Sequence, residues 1–349
     1  NKNIPLVSGI FLLGRIRGAL EIFAFSCYNC ATASNISMKN SFEFFIRMFL
    51  CGVLFGGFLL YGISASAATN QGRIWSSGFE LNSLTNDVEI GTTGGGGTET
   101  IVTSPVRSGT YALQTTSVAS NSSWAQYQFA AANSNGPFYF RTYLRVADYP
   151  DTTENIIELE TTGGTERAGL RLTPAGALQL MDLDGTITQI GSDSSALSLN
   201  TWYRVEIKYD ATAGLSSVVL DGRLNGTSFA SSTSVVNASS IGRITWGMPS
   251  AAATYNLYWD DMAINTLAFP GDGRIIHLKP NAAGDNTGWT IGAGSGSNYQ
   301  QVDEVTPDDA TTYLREITAT GAAADDYNIE DATSLIPSNA EIALVQVGV

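Results

Sequence analysis

The chain predicts an all-β protein built on a two-sheet antiparallel sandwich. Three observations predict it. In Trp202–Asp210, Tyr203, Val205, Ile207 and Tyr209 fall on one face, and Trp202, Arg204, Glu206, Lys208 and Asp210 on the other. Strict two-residue alternation marks a strand with one buried face. The apolar runs are short and are punctuated by Gly, Pro, Asn and Asp at regular spacing, as a sandwich requires. No stretch after residue 68 carries a helical period.

In chain order, Ile74–Glu80 reads as the first strand. Leu81–Thr100, rich in Asn, Thr and Gly, reads as a long loop with Gly94–Gly97 as its loosest part. Tyr111–Thr115 and Trp124–Phe129 read as short strands. In Phe138–Val146, Phe138, Phe140, Thr142 and Leu144 share one face, and Tyr139, Arg141, Tyr143 and Arg145 the other. Asn155–Thr161, Ala168–Thr173, Ala177–Asp182 and Thr186–Ile190 form a meander whose first turn is Gly163-Gly164. The Trp202 strand turns at Ala211–Gly214 and returns through Ser217–Leu220 to Asp221-Gly222. Gly226–Ser232, Ile241–Met248 and Thr254–Ile264 complete the set.

The pattern Leu197-x-x-x-x-Trp202-Tyr203-Arg204-Val205-Glu206, a hairpin, then Leu220-Asp221-Gly222 resembles the laminin-G-like, concanavalin A-like jelly-roll group over roughly Ile74–Ala268. The resemblance implies a jelly roll with the tryptophan strand central. It leaves function open, because lectins, adhesins, glucanases, lyases and virion proteins share that fold. Phe269–Gly273 (FPGDG) marks a boundary, and residues 269–349 read as a second, β-rich module with strands such as Arg274–Leu278 and Ala340–Val347. Its run Pro270-Gly271-Asp272-Gly273-Arg274, then Trp289, Asn298-Tyr299, Val302-Asp303-Glu304 and Tyr313, is similar to C-terminal modules of phage structural proteins. The chain stops within the apolar run Val345–Val349, so an incomplete module is expected.

Residues 38–67 read as a secretory signal. Lys39 and Arg47 give the positive region, Met48–Ile63 the apolar core, and Ala65-Ser66-Ala67 the cleavage site. The 68–268 sandwich is then expected outside the cell, with a membrane met only through an uncleaved signal segment. Residues 1–37 read as an upstream segment outside the functional protein. Cys27, Cys30 and Cys51 all precede the cleavage site, so no disulfide framework or thiol nucleophile is expected beyond it. The single histidine, His277, has no nucleophile motif around it, which disfavours a Ser-His-Asp triad or a multi-histidine zinc site.

Charged residues make up only 14%, yet the net charge is −14. The first 67 residues hold five basic and two acidic groups, so the remainder is more acidic still. A nucleic-acid partner is excluded, because a phosphate-binding face needs clustered Lys and Arg.

Three constellations could carry function. The resemblance implies a calcium site pairing an acid of the opening strand with the closing strand's Asp pair, here Glu80 with Asp260 and Asp261. A hard cation takes such oxygen ligands. A structural calcium ion is therefore expected. The second constellation is a polar sheet face of Tyr139, Arg141, Tyr143, Arg145, Glu158, Glu160, Arg171 and Gln179, if their strands are neighbours. Aromatic rings stack on sugars and charged groups hydrogen-bond hydroxyls, so this face would bind a glycan. The third is Glu158-Leu159-Glu160, two carboxylates on one strand face. Glucanases of the resembling group carry Glu-x-Asp-x-x-Glu, but Gly163 stands where the third acid would be. The favoured function is a secreted, noncatalytic carbohydrate-binding or adhesive protein. The alternatives are a phage or virus-like particle structural protein and a polysaccharide hydrolase or lyase.

Overall fold

In the computed structural model, most of residues 72–336 and a few positions up to 345 are described. Residues 1–71 lie outside the description, as do 85–88, 119–120, 215–216, 236–239, 249–253 and several positions after 306. The signal-sequence reading of 38–67, the upstream segment 1–37 and most of the strand expected at Ala340–Val347 fall outside the described residues. Among those described, no helix is long and apolar enough to cross a membrane.

Fifteen strands build the sandwich. They are β1 (Arg73–Ser77), β2 (Thr92–Gly95), β3 (Thr98–Val102), β4 (Ala112–Thr116), β5 (Ser123–Gln128), β6 (Phe138–Val146), β7 (Glu154–Glu160), β8 (Glu166–Leu172), β9 (Leu178–Asp182) and β10 (Thr188–Ile190). After them come β11 (Trp202–Asp210), β12 (Val218–Leu224), β13 (Thr227–Val235), β14 (Arg243–Met248) and β15 (Asn256–Asn265). One antiparallel sheet has eight strands, in the order β13-β12-β11-β6-β15-β4-β3 with β1 also on β15. The facing sheet has seven, in the order β10-β9-β8-β7-β14-β5-β2. The predicted two-sheet jelly-roll architecture is therefore the one the chain adopts.

The alternation in sequence sets the packing. Val205, Ile207 and Tyr209 of β11 point inward and are buried, as are Phe138, Phe140, Leu144 and Val146 of β6. From the other sheet, Ile157, Leu159, Leu170, Leu178, Leu180, Ile244 and Trp246 meet them. Burying large apolar side chains from both sheets is the main source of stability in such a fold. The core tryptophans are Trp75, Trp246 and Trp259, each no more than 1% exposed. Trp202, by contrast, lies on the outward row of β11 and is only half-buried.

Several local expectations are corrected. The loop expected over Leu81–Thr100 contains β2 and the start of β3. Its glycines permit close packing: a Cβ on Gly94 would sit 2.6 Å from the Trp124 ring on the adjacent strand. The expected first strand stops at Ser77, because Phe79 adopts a positive φ of 60° and Glu80 starts a turn. Arg274–Leu278 forms no strand. The last strand does not keep one alternation either. Asp260 pairs with Tyr143 and Ala263 with Arg141, so one extra residue is bulged out. The bulge switches the faces, so that Trp259 and Met262 both enter the core. Asp261 sits in it with a φ of +48°.

Beyond the sandwich, β16 (Pro280–Thr287) pairs with β19 (Asp325–Ile329), and β17 (Thr290–Ala293) with β18 (Tyr313–Arg315). Short 3-10 turns occupy Asn298–Gln301 and Ala332–Ser334. Two residues of the phage-like pattern bond directly: the Asn298 side-chain amide donates to the Trp289 carbonyl at 2.9 Å and also reaches Asp325.

Candidate functional site

The polar residues expected on one surface divide between two. Tyr139, Arg141, Tyr143 and Arg145 belong to β6 in the eight-stranded sheet, whereas Glu158, Glu160, Arg171 and Gln179 belong to β7, β8 and β9 in the seven-stranded sheet. All point away from the core, so the two groups lie on opposite outer faces of the sandwich. Consecutive strands of a jelly roll often alternate between sheets, and the step from β6 to β7 is such a crossing.

On the eight-stranded sheet, the centre of the outer face is covered. The chain leaving β15 folds back over β6 as a strap, Phe269–Ile275. Arg141 donates from Nε to the Asp261 carbonyl at 3.0 Å and from a terminal nitrogen to the Gly271 carbonyl at 3.2 Å. The Tyr143 hydroxyl donates to Asp272, and the Gly271 N–H donates to Glu206 at 2.9 Å. Arg107 lies 3.5 Å over the Tyr143 ring and pairs with Asp261 at 2.7 Å and Asp272 at 3.0 Å. Arg141 and Tyr143 are therefore 3% and 6% exposed. They clamp the strap and are closed to a ligand, which corrects their assignment as binding residues. Burial lowers the Arg141 pKa, with Asp261 opposing, and raises that of Tyr143, with the Asp272 bond adding to it.

The acids expected to hold calcium gather beneath this clamp, around the single segment Arg107–Tyr111. Glu80 accepts from the N–H groups of Thr110 and Tyr111. Asp260 accepts from the N–H groups of Arg107, Ser108 and Asp261. Asp261 accepts from Arg107, the Ser108 hydroxyl and the Ile275 N–H. Glu89, which the sequence reading missed, accepts from the N–H groups of Glu80 and Leu81. Burial is the first cause that pushes Glu80 up to about 7, with Glu89 and Asp261 adding to it; burial and Asp261 likewise push Asp260 upward. The residue types suit a hard cation, but their oxygens are turned onto N–H donors. Among the described residues no three acidic side chains converge to hold a metal. As arranged, the donor set does not fit calcium; the Arg107 guanidinium supplies positive charge there.

On the seven-stranded sheet, Glu158 stands opposite Thr245 of β14 and Gly169 of β8. Asn155 donates to Glu158 at 2.8 Å and accepts from Arg171 Nε at 2.6 Å. Glu160 accepts from Arg243 Nε at 2.8 Å. Gly164, at a φ of +86°, keeps that guanidinium's space open: a Cβ there would lie 2.6 Å from its terminal nitrogen. Glu158 and Glu160 are 2% and 3% exposed. Burial pushes Glu158 up to about 8, with Glu166 and Glu160 adding repulsion. The pair is satisfied internally and barely reaches solvent.

Beside the covered centre, the outer face of the eight-stranded sheet opens into a cleft. It has a volume of about 460 Å³ and lies between β12, β13 and the Leu267–Phe269 stretch. Tyr139 lines it, with Phe269, Lys208, Asp221, Arg223 and Ser231. The Tyr139 and Phe269 rings meet edge-on at 5.0 Å, and the Arg223 guanidinium lies 3.8 Å over the Phe269 ring. Lys208 pairs with Asp210 at 3.0 Å and Arg223 with Asp221 at 2.8 Å. Of the predicted binding residues only Tyr139 belongs here. The others were hidden in sequence because Phe269 reads as a linker residue and Asp221 as a turn; outward alternation along β11 and β12 was the available signal.

No family model matches the chain, and no curated protein matches it. Among solved structures, the chain is similar to the cellulose induced protein Cip1, at 14% identity and a TM-score of 0.45, covering 57% of this chain and 99% of that one. It is also similar to domain 4 of an extracellular arabinanase of Geobacillus stearothermophilus in complex with arabinotriose, at 12% identity and a TM-score of 0.41, covering 57% of this chain and 94% of that one. A third is botulinum neurotoxin type C, whose cell entry is described as dependent on two ganglioside molecules, at 11% identity and a TM-score of 0.43, covering 59% and 50%. At this distance, function has to be argued from the chain's own residues.

Proposed function

We propose that the protein is a noncatalytic carbohydrate-binding β-sandwich whose binding site is the cleft beside Tyr139. One observation carries this reading: the open cleft joins two aromatic rings, Tyr139 and Phe269, to hydrogen-bonding side chains on neighbouring strands. Sugars present an apolar C–H face and a rim of hydroxyls, and such a cleft offers a partner for each. Its size lies in the range of small-molecule sites. Catalysis by Glu158 and Glu160 has less support, because both are buried and engaged by Asn155 and Arg243. On the signal reading of 38–67, binding would take place outside the cell and the secreted product would begin at Ala68, which N-terminal sequencing reads directly.

The test is a glycan array with a parallel assay for reducing-sugar or unsaturated-uronate release. Binding without release is expected. Release by the wild-type protein, lost in Glu158→Gln, would make it an enzyme. Calcium enters as a competitor of Arg107. Equal melting temperatures with calcium and with a chelator leave the guanidinium as the cluster's counter-charge, and a calcium-dependent rise assigns that role to the metal.

A further inference from the structure

The aromatic wall of the cleft is not built wholly from the sheet it stands on. Tyr139 belongs to β6, but Phe269 belongs to the strap. The residues before it, Leu267 and Ala268, are exposed. The anchor lies on its other side, where Pro270 is buried and Gly271 is held through both of its peptide groups. The Gly271 N–H donates to Glu206 at 2.9 Å, and its carbonyl accepts from Arg141 at 3.2 Å. Between this anchor and the ring the chain is stiff. Proline fixes its own φ, and the residue before a proline is confined to extended conformations. Fixing Gly271 therefore fixes the backbone of Phe269, whose ring lies edge-on to Tyr139 and under the Arg223 guanidinium.

Glu206 sits at the centre of this arrangement. In the outward row of the sheet it stands between Arg141 on β6 and Arg223 on β12. The first of these holds the strap and the second covers the Phe269 ring. Glu206 itself is 1% exposed and is not among the residues that line the cleft, so its carboxylate meets no ligand there. We infer that Glu206 is a positioning residue: through Gly271 and Pro270 it sets the Phe269 ring against Tyr139 and so forms the aromatic wall. A ring held in place before a ligand arrives does not have to be ordered on binding, and the gain is in affinity. That gain rests on the binding reading above; the placement of the ring does not.

The experiment uses the full chain with para-fluorophenylalanine at position 269, read by fluorine NMR without ligand, and then calorimetric titration of an array-positive glycan. Glu206→Gln and Glu206→Met are compared. Both remove the charge and keep the length of the side chain. The amide oxygen of the first still accepts from the Gly271 N–H, whereas the thioether of the second is only a weak acceptor. Pro270→Gly leaves the sheet untouched and loosens the link alone. The expected result is a wild-type line in Glu206→Gln and a shifted or split line in Glu206→Met and Pro270→Gly. The latter two should lose about tenfold in affinity, and Glu206→Gln should keep it. A wild-type line in a folded Glu206→Met would overturn the inference. So would Glu206→Gln behaving as Glu206→Met does, since charge and not the bond to Gly271 would then place the ring. A wild-type line in Pro270→Gly overturns it too, whether or not Glu206→Met folds. Shifted lines in the variants, with no glycan bound by any of the proteins, would uphold the placement of the ring and remove the binding reading alone.

Discussion

The two outer faces of the sandwich are built from the same alternation and are closed by different means. On the seven-stranded sheet, the outward residues Glu158, Asn155 and Arg171 bond to one another and Glu160 bonds to Arg243, and together they close the surface. On the eight-stranded sheet, the outward residues Arg141, Tyr143 and Glu206 are closed by another piece of chain, the strap Phe269–Ile275. Beside the strap, at Tyr139, Asp221 and Arg223, an outward row stays open as a cleft. Alternation therefore shows which residues leave the core. It says nothing about what lies over them.

The sharpest way to break this comparison is to remove the clamp. Arg107→Ala removes the guanidinium paired directly with the buried Asp261 carboxylate and leaves Arg141 as its nearby positive charge. Breaking a buried pair from one side costs about 3–5 kcal/mol, and urea denaturation should read that loss. A loss below about 1 kcal/mol would mean that the strap is not held on the sheet through Arg107.

The buried carboxyls of both closed regions, Glu158 on β7 and Glu80 beneath the clamp, respond to pH. Glu158 is raised to about 8 in the folded chain and Glu80 to about 7, both above the ordinary value of 4.5. The folded state therefore keeps protons that the unfolded chain has released. Stability should fall as pH climbs from about 4.5 towards 8. Thermal melts should show a higher melting temperature at pH 5 than at pH 8. Glu158→Gln should flatten part of that slope and raise the melting temperature at pH 8; an unchanged slope would place the Glu158 carboxyl in contact with water.

The smallest effect belongs to the open rim. Lys208 and Asp210 are both partly exposed, and Lys208→Ala should cost at most about 1 kcal/mol. A larger loss would show that the rim is packed, against the openness assigned to the cleft.

How much of this was legible in sequence differs by feature. The sandwich was, because Val205, Ile207 and Tyr209 or Phe138, Phe140 and Leu144 repeat every second residue. Glu80, Asp260 and Asp261 were singled out as a calcium set through the resemblance, and the fold turns their oxygens onto N–H groups instead. Their partner Arg107 was not, because it comes from a loop with no periodic signal. The bulge at Asp260–Ala263 leaves no mark in the sequence of the last strand, although one extra residue reverses every later side chain. The division of Tyr139 from Glu158 between two sheets was illegible, because strand order across a jelly roll is a tertiary property. Phe269, read as part of a boundary, became a wall of the cleft only through the fold-back of the strap.

The central claim is that the open cleft binds sugar and the carboxylate face does not. Calorimetric titration of one array-positive glycan into Tyr139→Ala and Glu158→Gln tests it most directly. The account predicts that Tyr139→Ala weakens binding about tenfold or more, through lost stacking, while Glu158→Gln binds as wild type does. Full affinity in a folded Tyr139→Ala, with binding lost in Glu158→Gln, would contradict it and move the site to the seven-stranded sheet.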